Sequence, residues 1–478
     1  MDELDILENE SELALTSKHN LVSTVIKTHG VSHLQREMPP PKQALILAAG
    51  LGRRQKENGT SKPLISLLGL TLIERIILTA KKAGISEFLI VVGHNGDQIR
   101  KQLADGSKLG VKLDYVVNDD WNRGNGISVL KAREFFHESF ILLMSDHIFD
   151  YKILNELRKA TLQQDECILC VDGKIHKYLD LEDATKVNTT DGLILDIGKE
   201  LTDYNGIDTG IFLCTPTIFD ALDESIANGN ESLSGGIDIL TNKGKMKALD
   251  VSDKYWIDVD HSKALKNAKS LLIDQLAKLT DGPIAKLFNR PFSIRISALL
   301  LKTNITPNQV TLLSFIISLF ASLFFYFGNY HFLIAGGILV QISSIVDGCD
   351  GEIARLKLRQ TNYGGWFDAV LDRYADGLIV FGMIYGHWML HSNILIWTVG
   401  FAALIGTFLN SYTSDKYDSI FRKKLICKNE IRMGRDIRLF IIFIGALSNQ
   451  ILLTLAILAI ITNFESVRRL VVLRHEYA

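Results

Sequence analysis

The sequence predicts two architectures in one chain: an α/β, mostly parallel-sheet (Rossmann-like) domain followed by an all-α six-helix transmembrane domain. Short apolar runs of strand length alternate with helix-period segments between residues 43 and 265, the pattern of a sheet with crossover helices. Six apolar runs then follow residue 303, of or near the length of about 20 residues that a helix needs to cross a bilayer, except the fifth, which is short and joined to the sixth by a tight turn at Ser448-Asn449-Gln450. The mean hydropathy of +0.15 averages these unlike halves. With 478 residues, and roughly 100–200 residues per domain, a single small binding module is excluded. Fifty-two basic residues against 54 acidic ones leave a net charge of −2, which argues against a nucleic-acid partner. Five scattered Cys make no disulfide framework and fit a reducing compartment.

Residues 1–42 read as a polar extension ending in Pro39-Pro40-Pro41, without the apolar core of a signal peptide. Residues 43–265 form the α/β domain. Strands are predicted at Ala44–Leu47, Phe88–Val92, Ser139–Met144, Glu166–Val171, Gly210–Cys214 and Met246–Asp250, with a helix over Leu72–Gly84. Cys167 and Cys170 sit in one of these apolar runs and read as core residues, not as half a zinc site. Residues 266–302 are a linker helix followed by an amphipathic stretch in which Leu287, Phe288 and Phe292 alternate with Lys286, Arg290 and Arg295, suited to a membrane interface. Residues 303–478 carry the spans, roughly 309–328, 331–353, 365–388, 391–412, 437–449 and 450–467. Basic clusters at 355–359, 422–438 and 468–469 fall on one side of six crossings. This places both termini and the α/β domain in the cytoplasm, under the cell membrane.

In the α/β half, Gly50-Leu51-Gly52-Arg53-Arg54 directly follows a strand. Glycines there let backbone N–H groups approach phosphates. Lys62 follows at a distance that lets it reach a triphosphate, and Asn118, Gly124 and Asn125 lie in a polar loop suited to reading a base edge. Asp146 ends an apolar strand, where open α/β sheets bind ligands. Asp258 and Asp260 close the domain in Trp256-Ile257-Asp258-Val259-Asp260.

Leu47–Arg54 with Lys62-Pro63 resembles the signature of the sugar nucleotidyltransferases. The resemblance implies a divalent cation, Mg²⁺ or Mn²⁺, held by Asp146 and one of the late aspartates, with Asp258 the better match to the family's Trp-x-Asp. It also implies that Arg54 and Lys62 neutralise the triphosphate while a substrate phosphate attacks the α-phosphorus and pyrophosphate leaves. Asp183–Val187, Ile197–Lys199 and Asn205–Phe212 resemble the acceptor-side motifs of inositol-1-phosphate cytidylyltransferases. Lys186 and Lys199 are then candidates for the acceptor phosphate, and CTP and inositol 1-phosphate, or a related alcohol phosphate, are the implied substrates.

In the membrane half, Asp347 and Asp350 are three residues apart, and Asp368 and Asp372 four, so each pair shares one helix face. Carboxylates in a membrane helix are expensive and usually functional. Four that converge repel unless a cation sits between them, and hard divalent cations prefer such oxygen ligands. Gly351 and Ala354 remove bulk where a nucleotide could lie, and Arg355 can pair with phosphate. The pattern Asp347-x2-Asp350-Gly351-x2-Ala354-Arg355-x8-Gly364-x3-Asp368-x3-Asp372 resembles the complete signature of the CDP-alcohol phosphotransferases. That resemblance implies metal binding by the four aspartates, Asp372 as general base toward an acceptor hydroxyl, CMP as leaving group and a homodimer formed through the membrane helices. Arg435 and Arg438 fit either an acceptor-phosphate anchor or the positive-inside pattern, and Asp376 reads as structural.

Together the halves resemble the bifunctional enzymes that make a CDP-activated inositol and then consume it. Hyperthermophile proteins of that kind are rich in Lys and Glu, whereas this chain is 22% charged. Two outcomes therefore stay open for the second step: a soluble phosphodiester, or transfer of the CDP-activated alcohol to a membrane lipid.

Overall fold

The computed structural model describes residues 39–50, 61–174, 181–276, 282–421 and 433–477. The soluble half contains strands β1 (Gln43–Ala48), β2 (Ser66–Leu67), β3 (Leu70–Thr71), β4 (Glu87–Val92), β5 (Lys112–Val117), β6 (Phe140–Met144), β7 (His147–Phe149), β8 (Cys167–Asp172), β9 (Lys186–Thr190), β10 (Leu193–Gly198), β11 (Gly206–Cys214), β12 (Met246–Asp250) and β13 (Trp256–Asp258). Its helices are α1 (Leu72–Lys82), α2 (Gly96–Leu103), α3 (Asn125–Leu130), α4 (Tyr151–Leu157), α5 (Thr217–Ala227), α6 (Leu233–Asn242) and α7 (Ser262–Asp274).

Nine strands form one sheet in the order β5-β4-β1-β6-β11-β8-β12-β10-β9. Strands β5, β4, β1 and β6 are parallel neighbours. Beyond them β11 runs antiparallel to both β6 and β8, and β10 runs antiparallel to β12 and β9. The expectation of a mostly parallel sheet is thus corrected to a mixed one, parallel on the side of β1. Successive residues of β1 point to opposite faces, as in any strand. Ala44, Ile46 and Ala48 join a core with α1, α2 and α4, while Leu45, Leu47 and Ala49 join a second core with α3, α5 and α6. Helices on both faces explain why β1, β4 and β8 are apolar but for one terminal residue each, Gln43, Glu87 and Asp172.

After α7 a π-turn (Ala285–Asn289) leads into α8 (Arg290–Leu300). Six helices follow: α9 (Pro307–Phe327), α10 (Tyr330–Leu356), α11 (Asn362–His391), α12 (Leu395–Phe421), α13 (Arg435–Leu447) and α14 (Ile451–Tyr477). Four of them, α9, α10, α12 and α14, contain stretches long and apolar enough to cross a membrane. Helix α11 carries four charged residues, Asp368, Asp372, Arg373 and Asp376, in its first half, and α13 has only 13 residues. Helix α11 meets α9 at Gly382 and Gly386, where any Cβ would collide with the backbone of Ser322 or Phe325. Small residues one turn apart permit that close approach.

A third packing region joins the halves. Leu67, Leu72 and Ile257 of the soluble domain pack with Leu301, Val310, Ile353 and Leu356. Arg75 of α1 is buried there, donating to the carbonyl oxygens of Leu356 at 2.9 Å and Leu67 at 2.7 Å. Helix α8 is pinned to α10 by Glu352, which is fully buried and accepts from Arg290 Nη1 at 2.6 Å, Ser293 Oγ at 2.6 Å and Ser297 Oγ at 2.7 Å. Removing one member of a buried charged network leaves its partners unsatisfied and costs about 3–5 kcal/mol. Glu352→Ala is therefore expected to lower the unfolding temperature in detergent markedly, whereas Arg295→Ala, on the outer side of α8, should leave it nearly unchanged; differential scanning fluorimetry distinguishes the two.

Candidate functional sites

The first site forms where β1 and β6 end side by side. Gly50 follows β1 and Asp146 follows β6. The β7–β13 ribbon pairs Asp258 directly with His147. One ligand atom from each of Asp146, His147 and Asp258 falls within 4.8 Å of the others. Two cavities meet at this cluster. One of about 310 Å³ is lined by Gly50, Lys62, Trp121, Arg123, Asn125 and Asp146. The other, of about 240 Å³, is lined by His147, Asp183, Lys199, Asp208, Asp258 and His261. Asn125 borders both, and its Oδ1 accepts from the Leu233 N–H at 2.8 Å.

Lys62 Nζ lies 2.5 Å from both Asp146 Oδ2 and Asp260 Oδ1. Burial alone would lower its pKa, but Asp146, Asp258 and Asp260 outweigh burial and hold it above the ordinary lysine value. His147 accepts or donates through Nδ1 at the Thr209 carbonyl, 2.7 Å away, and its Nε2 lies 3.5 Å from Asp258. Burial opposes its charge, yet Asp258 and Asp146 raise its pKa to about 10. Burial pushes Asp208, in the same acceptor-side cavity, up to about 6.

Several expected residues take other positions. Gly52 and Arg54 lie outside the described residues. Asn118 is fully buried: it donates to Ser128 Oγ at 2.9 Å and accepts from the Asp120 N–H, so it shapes the loop instead of facing a base. Gly124 packs against the Glu231 backbone, with no room for a side chain, and does not line the cavity. Asp260 pairs with Lys62 and stands outside the three-ligand cluster. Lys199 lines the second cavity and pairs with Asp183 at 2.8 Å. Lys186 instead donates to the Lys199 carbonyl at 2.5 Å and is not among the residues lining that cavity.

The second site lies between α10 and α11. Asp347, Asp368 and Asp372 offer oxygens within 4.8 Å of one another. Asp350 is held aside by Thr311 Oγ1 at 2.5 Å and lies outside this tight group. Arg435, at the start of α13, reaches Asp347 at 3.1 Å, Asp372 at 2.7 Å and Asp376 at 3.0 Å. Arg438, which the sequence leaves open between a phosphate anchor and the positive-inside pattern, is buried and donates to Asp376, the Thr407 carbonyl and Ser411 Oγ. It braces three helices and does not face an open surface. Asp376 is the other half of that brace, as read from the sequence. Gly351 lies beneath the Arg355 guanidinium, where a Cβ would sit 3.2 Å from Nη1. Ala354 continues the same helix, and Gly364 opens α11, donating its N–H to Thr361 Oγ1 at 2.9 Å.

Both clusters suit a divalent cation. Their donors are oxygen-rich, as hard cations require. Asp258 Oδ1 and Asp368 Oδ1 are buried without a hydrogen-bond partner, a costly state that a cation would relieve. Sequence reasoning missed His147, Trp121 and Arg123. Only the adjacency of His147 to Asp146 signalled it, because the pairing that completes the cluster spans more than a hundred residues.

Residues 44–190 match the MobA-like NTP transferase domain family, and residues 304–464 match the CDP-alcohol phosphatidyltransferase family. The chain is 35% identical over 436 residues to the bifunctional IPC transferase and DIPP synthase of Rubrobacter xylanophilus, covering 90% of this chain and 96% of that protein. It belongs to the bifunctional IPC transferase and DIPP synthase family. The protein of the same name from Aquifex aeolicus is 33% identical over 435 residues, covering 88% of this chain and 96% of its own length. An archaetidylinositol phosphate synthase of Pyrococcus horikoshii is 33% identical over 178 residues, covering 37% of this chain and 87% of that protein. As a member of this family the chain is an enzyme in which a nucleotidyltransferase domain is joined to a CDP-alcohol phosphotransferase domain carried on membrane helices.

Gly210 has φ +70°, and a Cβ there would collide with the His147 ring. Gly210→Ala is therefore expected to displace His147 and reduce nucleotidyl transfer by about 10-fold or more, since misplacing a site group by an ångström costs on the order of 100-fold. CMP release from a supplied CDP-alcohol should be unaffected, which a two-substrate assay reads directly.

Proposed function

We propose that the soluble domain transfers a cytidylyl group from CTP to inositol 1-phosphate, giving CDP-inositol and pyrophosphate. The membrane domain then passes the phosphoinositol group to a second inositol phosphate and releases CMP. The observation that carries this reading is one acidic cluster in each of the two matched regions, in a family of bifunctional enzymes.

In the first reaction the cavity with Gly50 and Lys62 receives the triphosphate, and the cavity with Lys199 receives the acceptor phosphate. The acid cluster at their junction is where the acceptor oxygen meets the α-phosphorus. Lys62, kept charged by its carboxylates, offsets charge on the departing pyrophosphate. Arg54 serves the same end. Asn125, fixed by Leu233, orients the nucleotide. Asp146 and Asp258 would hold Mg²⁺ or Mn²⁺, as would Asp347, Asp350, Asp368 and Asp372, and the bound ion supplies charge stabilisation on the phosphates. In the second reaction Gly351, Ala354, Arg355 and Gly364 accommodate the CDP moiety. Asp372 accepts the proton of the attacking hydroxyl, and Arg435 beside it, at 2.7 Å, binds the acceptor phosphate.

The six helices all cross the cell membrane, with α8 and the turn before it at its inner surface; the exposed Leu287, Phe292 and Leu299 support this placement. The soluble domain and both termini are then cytoplasmic, and two copies associate through the membrane helices. A second reading, transfer to a membrane lipid alcohol, draws on the likeness of the membrane region to an archaetidylinositol phosphate synthase.

Purified protein given labelled CTP, inositol 1-phosphate and Mg²⁺ is expected to release pyrophosphate and yield a water-soluble labelled-inositol phosphodiester when the inositol carries the label. Label in the organic extract alone, in lipid vesicles, would favour the lipid reading, and no pyrophosphate with any alcohol phosphate would overturn both. Asp372→Asn should abolish CMP release while CDP-inositol accumulates at the unaltered rate. Loss of both reactions would contradict separate sites.

A further inference from the structure

A third cavity, of about 310 Å³, lies between the soluble and membrane domains and shares no residue with either acidic cluster. One wall is α1, through Arg75 and Lys82, and another is the turn Asp150–Lys152. The end of α10 and the loop after it, from Arg355 to Gln360, close the opposite side. The charged residues lining it are four cations, Arg75, Lys82, Lys152 and Arg355, and one carboxylate, Asp150. That carboxylate is already engaged, accepting the Lys152 N–H at 3.0 Å as the cap of α4.

The deepest of these cations is the most telling. Arg75 is 3% exposed, and its guanidinium meets only the carbonyls of Leu356 and Leu67. Its Nε is buried without a hydrogen-bond partner, and no ion pair to a carboxylate is formed by Arg75 among the described residues. Burial lowers its pKa to about 10, with Tyr255 the sole opposing influence. A buried charge without a counter-charge is unfavourable unless something supplies one. Lys82 stands over the Tyr151 ring at 4.2 Å and reaches Gln360 across the domain boundary at 3.3 Å. The cavity therefore presents cationic donors from both domains to one open-sided cleft. Its volume lies at the small end of ligand pockets, which run from roughly 300 to 1,000 Å³. Guanidinium and ammonium donors in such a space match phosphate oxygens.

We propose that this interdomain cavity binds a small water-soluble phosphate-bearing anion, which bridges α1 and the end of α10 and so ties the two domains together. The cavity shares no residue with either acidic cluster; Arg355 at its edge is also assigned to the CDP moiety, so the test alters only Lys82 and Lys152, and the proposal does not rest on the substrates of the two reactions.

The test is calorimetric titration of the full-length protein in detergent with orthophosphate, pyrophosphate and CMP in turn. EDTA is present throughout, so that binding dependent on divalent ions at the acidic clusters is suppressed. At least one of the three is expected to bind saturably at one site per chain. Lys82→Gln/Lys152→Gln, altering two solvent-edge residues, should weaken that binding by about 10-fold or more, the scale for losing charge-assisted contacts. The matched Lys82→Arg/Lys152→Arg variant should retain it, and both variants should melt like the unaltered protein without ligand. Pyrophosphate binding with none by CMP would assign the site to inorganic phosphates; CMP binding would assign it to nucleoside monophosphates. Absence of saturable binding by all three, or binding that the Gln variant leaves unchanged, would overturn the proposal.

Discussion

Carboxylates brought together away from bulk water repel one another, and both candidate centres of this chain are organised around that repulsion. At the first, Lys62 bridges Asp146 and Asp260 while His147 stands beside Asp258. At the second, Arg435 spans Asp347, Asp372 and Asp376. In each case a cationic side chain meets part of the negative charge, and a buried carboxylate oxygen remains without a donor. The surrounding structure serves to keep these groups converged: a two-strand ribbon at one site, and two helices pressed close to α9 by glycines at the other.

The same structure joins the centres physically. A shared apolar core and the Arg75 hydrogen bonds hold the soluble domain against the end of α10, the helix that carries Asp347 and Asp350. Glu352, between those aspartates and the end of the helix, anchors α8 from the opposite direction. The two centres are thus carried on packed parts of one chain. The interdomain cavity lies on this same boundary and gives it a means of responding to phosphate-bearing solutes.

Much of this was legible in the residues alone. Strands β1, β4, β6, β8 and the second half of β11 are near-continuous apolar runs because helices or partner strands cover them, and such runs stand out in a sequence. Strand β5 was missed because it is an edge strand whose residues Lys112 and Asp114 face solvent, breaking the run. β9 and β10 were missed for a similar reason, being short and half exposed. The aspartates of α10 and α11 were readable because helix spacing places i, i+3 and i+4 on one face. What spacing does not carry is contact between distant segments. The pairing of Asp258 with His147, the burial of Asn118 and the bracing of Arg438 by Asp376 all arise from such contacts. Arginine at a membrane boundary reads alike whatever it binds; both Arg435 and Arg438 hold Asp376, and only Arg435 also reaches Asp347 and Asp372.

The proposed function requires two independent divalent-cation centres in one chain, one per reaction. Anomalous diffraction at the manganese edge from crystals soaked in Mn²⁺ is the direct measurement. Density is expected between Asp146 and Asp258 and, separately, among Asp347, Asp368 and Asp372. Asp258→Asn should remove only the first, and Asp372→Asn only the second. Density at neither cluster, or loss of both through either substitution, would contradict it.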